Sequence, residues 1–148
     1  MIRRKREVRQ FAALPFHFDS DGNPHLYLIT SRGSGRWIIP KGNPIRGLPP
    51  HEVAAREALE EAGLVGHIRR GCIGTFRFDR RRGSTDKTYC VEVYALEVER
   101  QNRRWNEAGE RSVRRCDLQT ALSLLTWPGL STVIEQFLAG PATSVEAP

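Results

Sequence analysis

With 148 residues, 39% hydrophobic and 27% charged, the chain has the size and balance of one soluble domain with its own core. No apolar run approaches the roughly 20 residues of a membrane-spanning helix, and none follows the basic residues Arg3, Arg4, Lys5, Arg6 and Arg9, so neither membrane insertion nor secretion is expected and the cytoplasm is the expected compartment. Cys72, Cys90 and Cys116 are too few and too widely spaced for a disulfide framework or a paired zinc motif and read as reduced, inert thiols, while a formal net charge of +6 favours an anionic partner.

Residues 1–6 read as a basic tail, 7–138 as one domain and 139–148 as a loose tail. Glu7 to Phe18 and Leu26 to Thr30 are extended and apolar, and Asp19-Ser20-Asp21-Gly22-Asn23-Pro24 between them predicts a hairpin. Trp37-Ile38-Ile39 is a short buried strand that Pro40 ends, followed by a loop rich in Gly and Pro. A helix of about three turns follows Pro50 and stops at Gly63. Leu64-Val65 opens an extended region through Ile68, Ile73, Phe76 and Phe78. The basic turn Arg80 to Lys87 leads into Tyr89–Val98, apolar on both sides and therefore expected at the centre of a sheet. Glu99 to Gly109 is a long polar loop, Arg111 to Arg115 a short strand, and Asp117 caps a helix through Leu118, Ala121, Leu122 and Leu125. Pro128 opens a last helix with Val133, Ile134, Phe137 and Leu138 on one side. This order predicts a mixed sheet covered by helices.

In the helix after Pro50, a turn of 100° per residue puts Glu57, Glu60 and Glu61 within an arc of roughly 100°. Ala54, Ala55, Ala58 and Ala62 occupy another arc, suited to close packing on a sheet. Clustered carboxylates repel unless a cation compensates them, and oxygen ligands without His or Cys suit Mg²⁺ or Mn²⁺, which also takes substrate phosphate oxygens. A solvated helix face, supported by the i,i+4 pair of Arg56 and Glu60, is the alternative.

The spacing of these residues resembles the Nudix box, a pattern of Gly, five residues, Glu, seven residues, then Arg-Glu-U-x-Glu-Glu-x-Gly-U, where U is aliphatic. Gly42 takes the first position and Arg56-Glu57-Ala58-Leu59-Glu60-Glu61-Ala62-Gly63-Leu64 matches the second half. Leu48 stands where the pattern has Glu, and Glu52 lies inside the spacer. Arg36-Trp37-Ile38-Ile39-Pro40-Lys41-Gly42 is similar to the strand that leads into the box. The resemblance implies a Nudix-like α/β/α sandwich, an α+β fold with a mixed sheet between helices. It also implies hydrolysis of a diphosphate linkage using Mg²⁺ or Mn²⁺, with Glu57, Glu60 and Glu61 as metal ligands and Arg56 orienting them. One of these carboxylates, Glu107 or Glu110 would then accept the proton of the attacking water.

Arg77, Arg80, Arg81, Arg82 and Lys87 gather on one hairpin, and Lys41 and Arg46 flank the box, so these cations are expected to form a positive rim for a polyanion. The resemblance is strongest to members that cleave diphosphoinositol polyphosphates or dinucleoside polyphosphates, which makes a small diphosphate or polyphosphate the expected partner. An RNA 5′-end or other nucleotide pyrophosphohydrolase and a non-catalytic Nudix-fold binding module are the alternatives. No Gly-x-Ser-x-Gly elbow or phosphate loop argues for other hydrolase chemistry, and His17, His25, His51 and His67 show no ligand spacing. Trp37 and Trp127 are expected in the core, and Tyr27, Tyr89 and Tyr94 in strand packing.

Overall fold

A computed structural model describes residues 5–82 and 85–140. The strand β1 (Lys5–Phe18) runs through the middle of a mixed sheet. On one side it pairs in parallel with β6 (Thr85–Gln101), in register from Lys5 opposite Asp86 to Phe16 opposite Glu97; β5 (Leu64–Arg82) closes that side, antiparallel to β6. On the other side β1 has two antiparallel partners in turn. Near its middle, Phe11 and Ala12 pair with Gly42 and Lys41 of β4 (Lys41–Gly42), and further along Phe16 to Phe18 pair with β2 (Pro24–Thr30). β2 in turn pairs with β3 (Trp37–Ile38) and β7 (Val113–Asp117).

The period of two along β1 sorts its side chains onto two faces. Ala12, Leu14 and Phe16 join Val91, Val93 and Ala95 of β6 under α2 (Leu118–Leu124) and α3 (Pro128–Ala139), which contribute Ala121, Leu130, Val133, Ile134 and Phe137. Phe11 and Ala13 face the other way, onto Val53, Ala54, Ala58 and Ala62 of α1 (Pro50–Ala62), all four of them fully buried. The alanine side of α1 therefore lies on the sheet as its sequence requires. The result is helix, sheet, helix, the expected sandwich.

The expected hairpin of β1 and β2 forms, with Asp19 Oδ1 accepting from the backbone N–H of Asp21 and Asn23 at 2.9 Å each. The 89–98 segment is central, between β1 and β5. Several boundaries differ. Extended structure begins at Lys5 rather than Glu7. The Trp37 strand ends before Pro40 as expected, at Ile38 rather than Ile39, and Lys41 and Gly42 form a separate short strand on β1. The 80–87 turn is narrower, since β5 and β6 pair up to Arg82 and Thr85. The last strand is shifted to Val113–Asp117, and Asp117 ends it and caps α2 by accepting from Thr120 N at 2.7 Å. The three thiols are free, with Cys116 buried, Cys90 half-buried and Cys72 exposed.

Candidate functional site

Pro50 at the first helical position starts α1 and Gly63 stops it, with φ of 68° and its N–H donating to Leu59 C=O at 3.0 Å. Trp105 sits directly against Gly63: a Cβ on that glycine would lie 2.5 Å from the indole. This contact anchors the loop after β6 to the end of the acidic helix. Asn102 N donates to Gly63 C=O at 2.8 Å and Glu107 N to Glu60 C=O at 2.9 Å, so the loop runs back alongside the carboxylates.

Glu57 and Glu61, one turn apart, share a hydrogen bond. Glu61 is 6% exposed and accepts from the backbone N–H of Lys41 at 3.3 Å. Glu57 lies against Gly42, where a Cβ would overlap its carboxylate, so only glycine in β4 leaves room for it. Burial pushes the Glu61 carboxyl up to about 8 despite the opposing Arg111 guanidinium, and burial likewise raises Glu57, which also faces Glu60 and Glu107. Burial thus favours the protonated form at both carboxyls, and a divalent cation bound between them would take the place of that proton. Among the described residues no three His, Cys, Asp or Glu side chains converge as a ready-made ligand set. Glu60 is half-buried and within electrostatic range of Glu57.

Arg111 closes this cluster. Its guanidinium donates to Glu107 at 2.9 Å and to Thr30 C=O at 3.1 Å and lies 3.6 Å from Glu61, with its side chain 9% exposed. Glu110 sits further out, paired with the exposed Arg32 at 3.0 Å.

A cleft of about 360 Å³ opens beside Lys41. Its cationic and polar wall includes Arg36, Arg80, Arg81 and Ser31, and its apolar wall is Ile38, Phe78 and Trp127. Trp127 stacks on Phe78 with centroids 4.4 Å apart and planes 10° apart, and Phe78 stacks on Tyr89 at 4.8 Å. The Lys41 ammonium lies 5.3–5.7 Å from the centroids of all three rings and donates to Gln10 Oε1 at 2.9 Å. Burial lowers its pKa to about 8. Lys41 is thus shared: its backbone holds Glu61 and its side chain forms part of the cleft.

The expected rim is only partly assembled. Lys41, Arg80 and Arg81 meet at the cleft, and Lys87 is half-buried opposite Arg80 in the strand register. Arg77 departs from it, because residue 77 alternates with Phe78 and its guanidinium pairs with Glu7 at 3.3 Å. Arg46 is exposed in the turn before α1 and does not line the cleft. The Arg82 side chain lies outside the described residues. Arg56 is exposed on α1. Leu48 packs against the core cluster beneath α1, so the position that departs from the box serves packing.

Trp127, expected in the core, is half-buried and forms cleft wall. Gln10, Arg36 and Arg111 were not singled out by the sequence. For Gln10 the available signal was a polar residue in phase with Ala12 and Leu14 at the edge of an apolar run. Arg111 and Arg36 carry no local signal, since their partners lie on distant segments.

The two shifted groups predict opposite pH limbs of stability. Glu61 is raised from 4.5, so its contribution is whole below about pH 4.5 and is lost as pH rises toward about 8. Lys41 is lowered from 10.5, so its contribution is whole above that pH and is lost as pH falls through about 8. Without divalent cations, the melting-temperature difference between wild type and Glu61→Gln should fall across the acid limb. That between wild type and Lys41→Met should rise across the alkaline limb. Differences that stay flat with pH would contradict these assignments.

Comparison with known proteins agrees with this architecture. The NUDIX domain profile matches residues 8–137. "Nudix hydrolase 13, mitochondrial" of Arabidopsis thaliana is 28% identical over 126 residues, 81% of this chain and 62% of that protein, so the chain spans about three fifths of its relative's length. The crystal structure of Ap4A hydrolase from C. elegans superposes with a TM-score of 0.64 at 17% identity, covering 89% of this chain and 96% of that one. The NUDIX domain of Shewanella oneidensis NrtR, complexed with ADP ribose, superposes with a TM-score of 0.61 at 15% identity, covering 89% and 88%. At these identities the structural likeness is one of fold.

Proposed function

Because the chain belongs to the NUDIX domain family, we propose that it is a metal-dependent pyrophosphohydrolase, using Mg²⁺ or Mn²⁺ to cleave a diphosphate linkage in a dinucleoside polyphosphate or a similarly charged nucleotide. The observation that carries this reading is the junction at Lys41, which joins the Glu57–Glu61 carboxylate pair to an arginine-rimmed cleft with an aromatic wall. The donor set fits a divalent cation: the half-buried Glu57 and the buried Glu61 carboxylates, both raised by burial, lie together in a cradle that a Cβ at position 42 would fill.

Glu57 and Glu61, with Glu60 beside them, would hold the metal. When bound, it would neutralise phosphate charge and make water a better nucleophile at neutral pH. Glu107, fixed next to the pair and 17% exposed at its side chain, is better placed than the outlying Glu110 to accept the proton of the attacking water. Lys41, Arg36, Arg80 and Arg81 would hold the outer phosphates by charge-assisted hydrogen bonds.

The aromatic wall favours a nucleoside over an inositol ring. Trp127, half-buried in the cleft wall, would stack a base, whereas an inositol polyphosphate would use the cations alone. Trp127→Ala should raise KM for a dinucleoside polyphosphate about 5- to 100-fold, the equivalent of about 1–3 kcal/mol of stacking, with a smaller change in kcat. An unchanged KM in steady-state assays would remove the base from this cleft.

The test is a panel assayed with Mg²⁺ and with Mn²⁺: dinucleoside polyphosphates, ADP-ribose, nucleoside triphosphates, diphosphoinositol phosphates and 5′-triphosphorylated RNA. Turnover of the dinucleoside polyphosphates supports the reading. Preference for the inositol phosphates or for RNA reassigns the substrate, and tight binding without turnover makes the chain a binding module.

A further inference from the structure

The buried Arg111 joins three parts of the fold that the sequence keeps far apart. Its Nη1 donates to the carbonyl of Thr30 at the end of β2, its Nε to Glu107 in the 102–111 loop, and its Nη2 lies near Glu61 of α1. We infer that Arg111 is the positioning residue that aims the Glu107 carboxylate at the Glu57–Glu61 pair, setting the turnover rate without contacting substrate. This inference rests on the proposed pyrophosphohydrolase reading.

The loop's main-chain anchors near Glu107 do not orient that carboxylate. Trp105 seats the loop against Gly63, and the backbone N–H of Glu107 reaches Glu60 C=O at 2.9 Å. Both fix the path of the main chain. The Glu107 side chain retains its rotamers unless something holds its oxygens, and the hydrogen bond within reach is the 2.9 Å bond from Arg111. Arg32 also approaches Glu107, but at 3.9 Å and from a side chain 58% exposed, which makes it a weak restraint.

The geometry needs a guanidinium. Arg111 uses different nitrogens of one rigid plane for Thr30, Glu107 and Glu61, so the direction of Glu107 is tied to β2 and to the acidic helix at once. A lysine supplies the same charge from a single point and cannot span these partners. The competing role, simple neutralisation of the carboxylates, depends on charge alone and would be preserved by lysine.

The experiment is a double-mutant cycle on the full chain, with a dinucleoside polyphosphate and Mg²⁺, comparing wild type, Arg111→Lys, Glu107→Gln and the double variant. Arg111→Lys should lower kcat about 10- to 100-fold with KM changed less than about twofold, as expected for a displaced catalytic group. Glu107→Gln should lower kcat by about 100-fold or more. The double variant should be no slower than Glu107→Gln alone, because Arg111 acts through Glu107. Independent, multiplying losses, a wild-type kcat in Arg111→Lys, or an effect confined to KM would each overturn the inference. Should Arg111→Lys melt below the assay temperature, Glu107→Asp replaces it: shortening the side chain from the same anchored backbone should give the same kcat-selective loss, and full activity there would overturn the inference. Turnover by the wild type separates this inference from the reading beneath it, since a wild type inactive on the whole panel overturns both.

Discussion

Glu61→Gln should lose about 10³-fold or more in kcat, roughly 4 kcal/mol of transition-state stabilisation, while melting no lower than the wild type at pH 8. Gln keeps the shape of the side chain and can still accept from Lys41 N, but it removes the charge that a divalent cation would require. It also removes the repulsion and desolvation that push this carboxyl up to about 8. Activity and stability should therefore move in opposite directions. Steady-state kinetics and thermal melts on the same preparation check both. Activity within tenfold of wild type would exclude Glu61 from the metal site, and a collapse in melting temperature would show that its role is structural.

The second large effect concerns the other face of the sheet. Phe16→Ala should destabilise the protein by about 3–5 kcal/mol, the range for removing a buried aromatic from a core. Phe16 is fully buried in β1 and meets Phe137 of α3 edge-on with centroids 5.4 Å apart, while Arg69 covers the same ring. Its loss opens a cavity between β1 and α3, which a rigid interior closes only in part. Urea denaturation followed by far-UV circular dichroism gives the value directly. A change below about 1 kcal/mol would mean that α3 contributes little to the fold.

These two residues also show what was readable in advance. Glu61 declares itself through local pattern: its spacing from Glu57, the alanines on the neighbouring arc, Pro50 before and Gly63 after all act within one helix, and helical geometry is fixed by the backbone. The two faces of β1 are likewise legible from alternation. What escaped needs long-range registration. The pairing of Lys41 and Gly42 with Phe11 and Ala12, which carries Lys41 between the carboxylates and the rings of Phe78, Tyr89 and Trp127, depends on strands that meet only after folding. Arg77 failed as a rim residue for a simpler reason, since strand parity turns it toward Glu7 and away from Phe78. Arg111 gave no signal at all, because its partners Thr30 and Glu61 sit 81 and 50 positions earlier in the chain. Leu48 was legible as a departure from the box, and the structure supplies its role: a side chain packed on the core cluster under α1.

The most direct test of the account is hydrolysis of a dinucleoside polyphosphate in ¹⁸O-labelled water, with Mg²⁺ or Mn²⁺ and with chelator, products being separated and weighed by mass spectrometry. The account predicts metal-dependent release of nucleotides with one ¹⁸O on a phosphate of one product, and no release by Glu61→Gln. Equal product formation in chelator, or by Glu61→Gln, would contradict it.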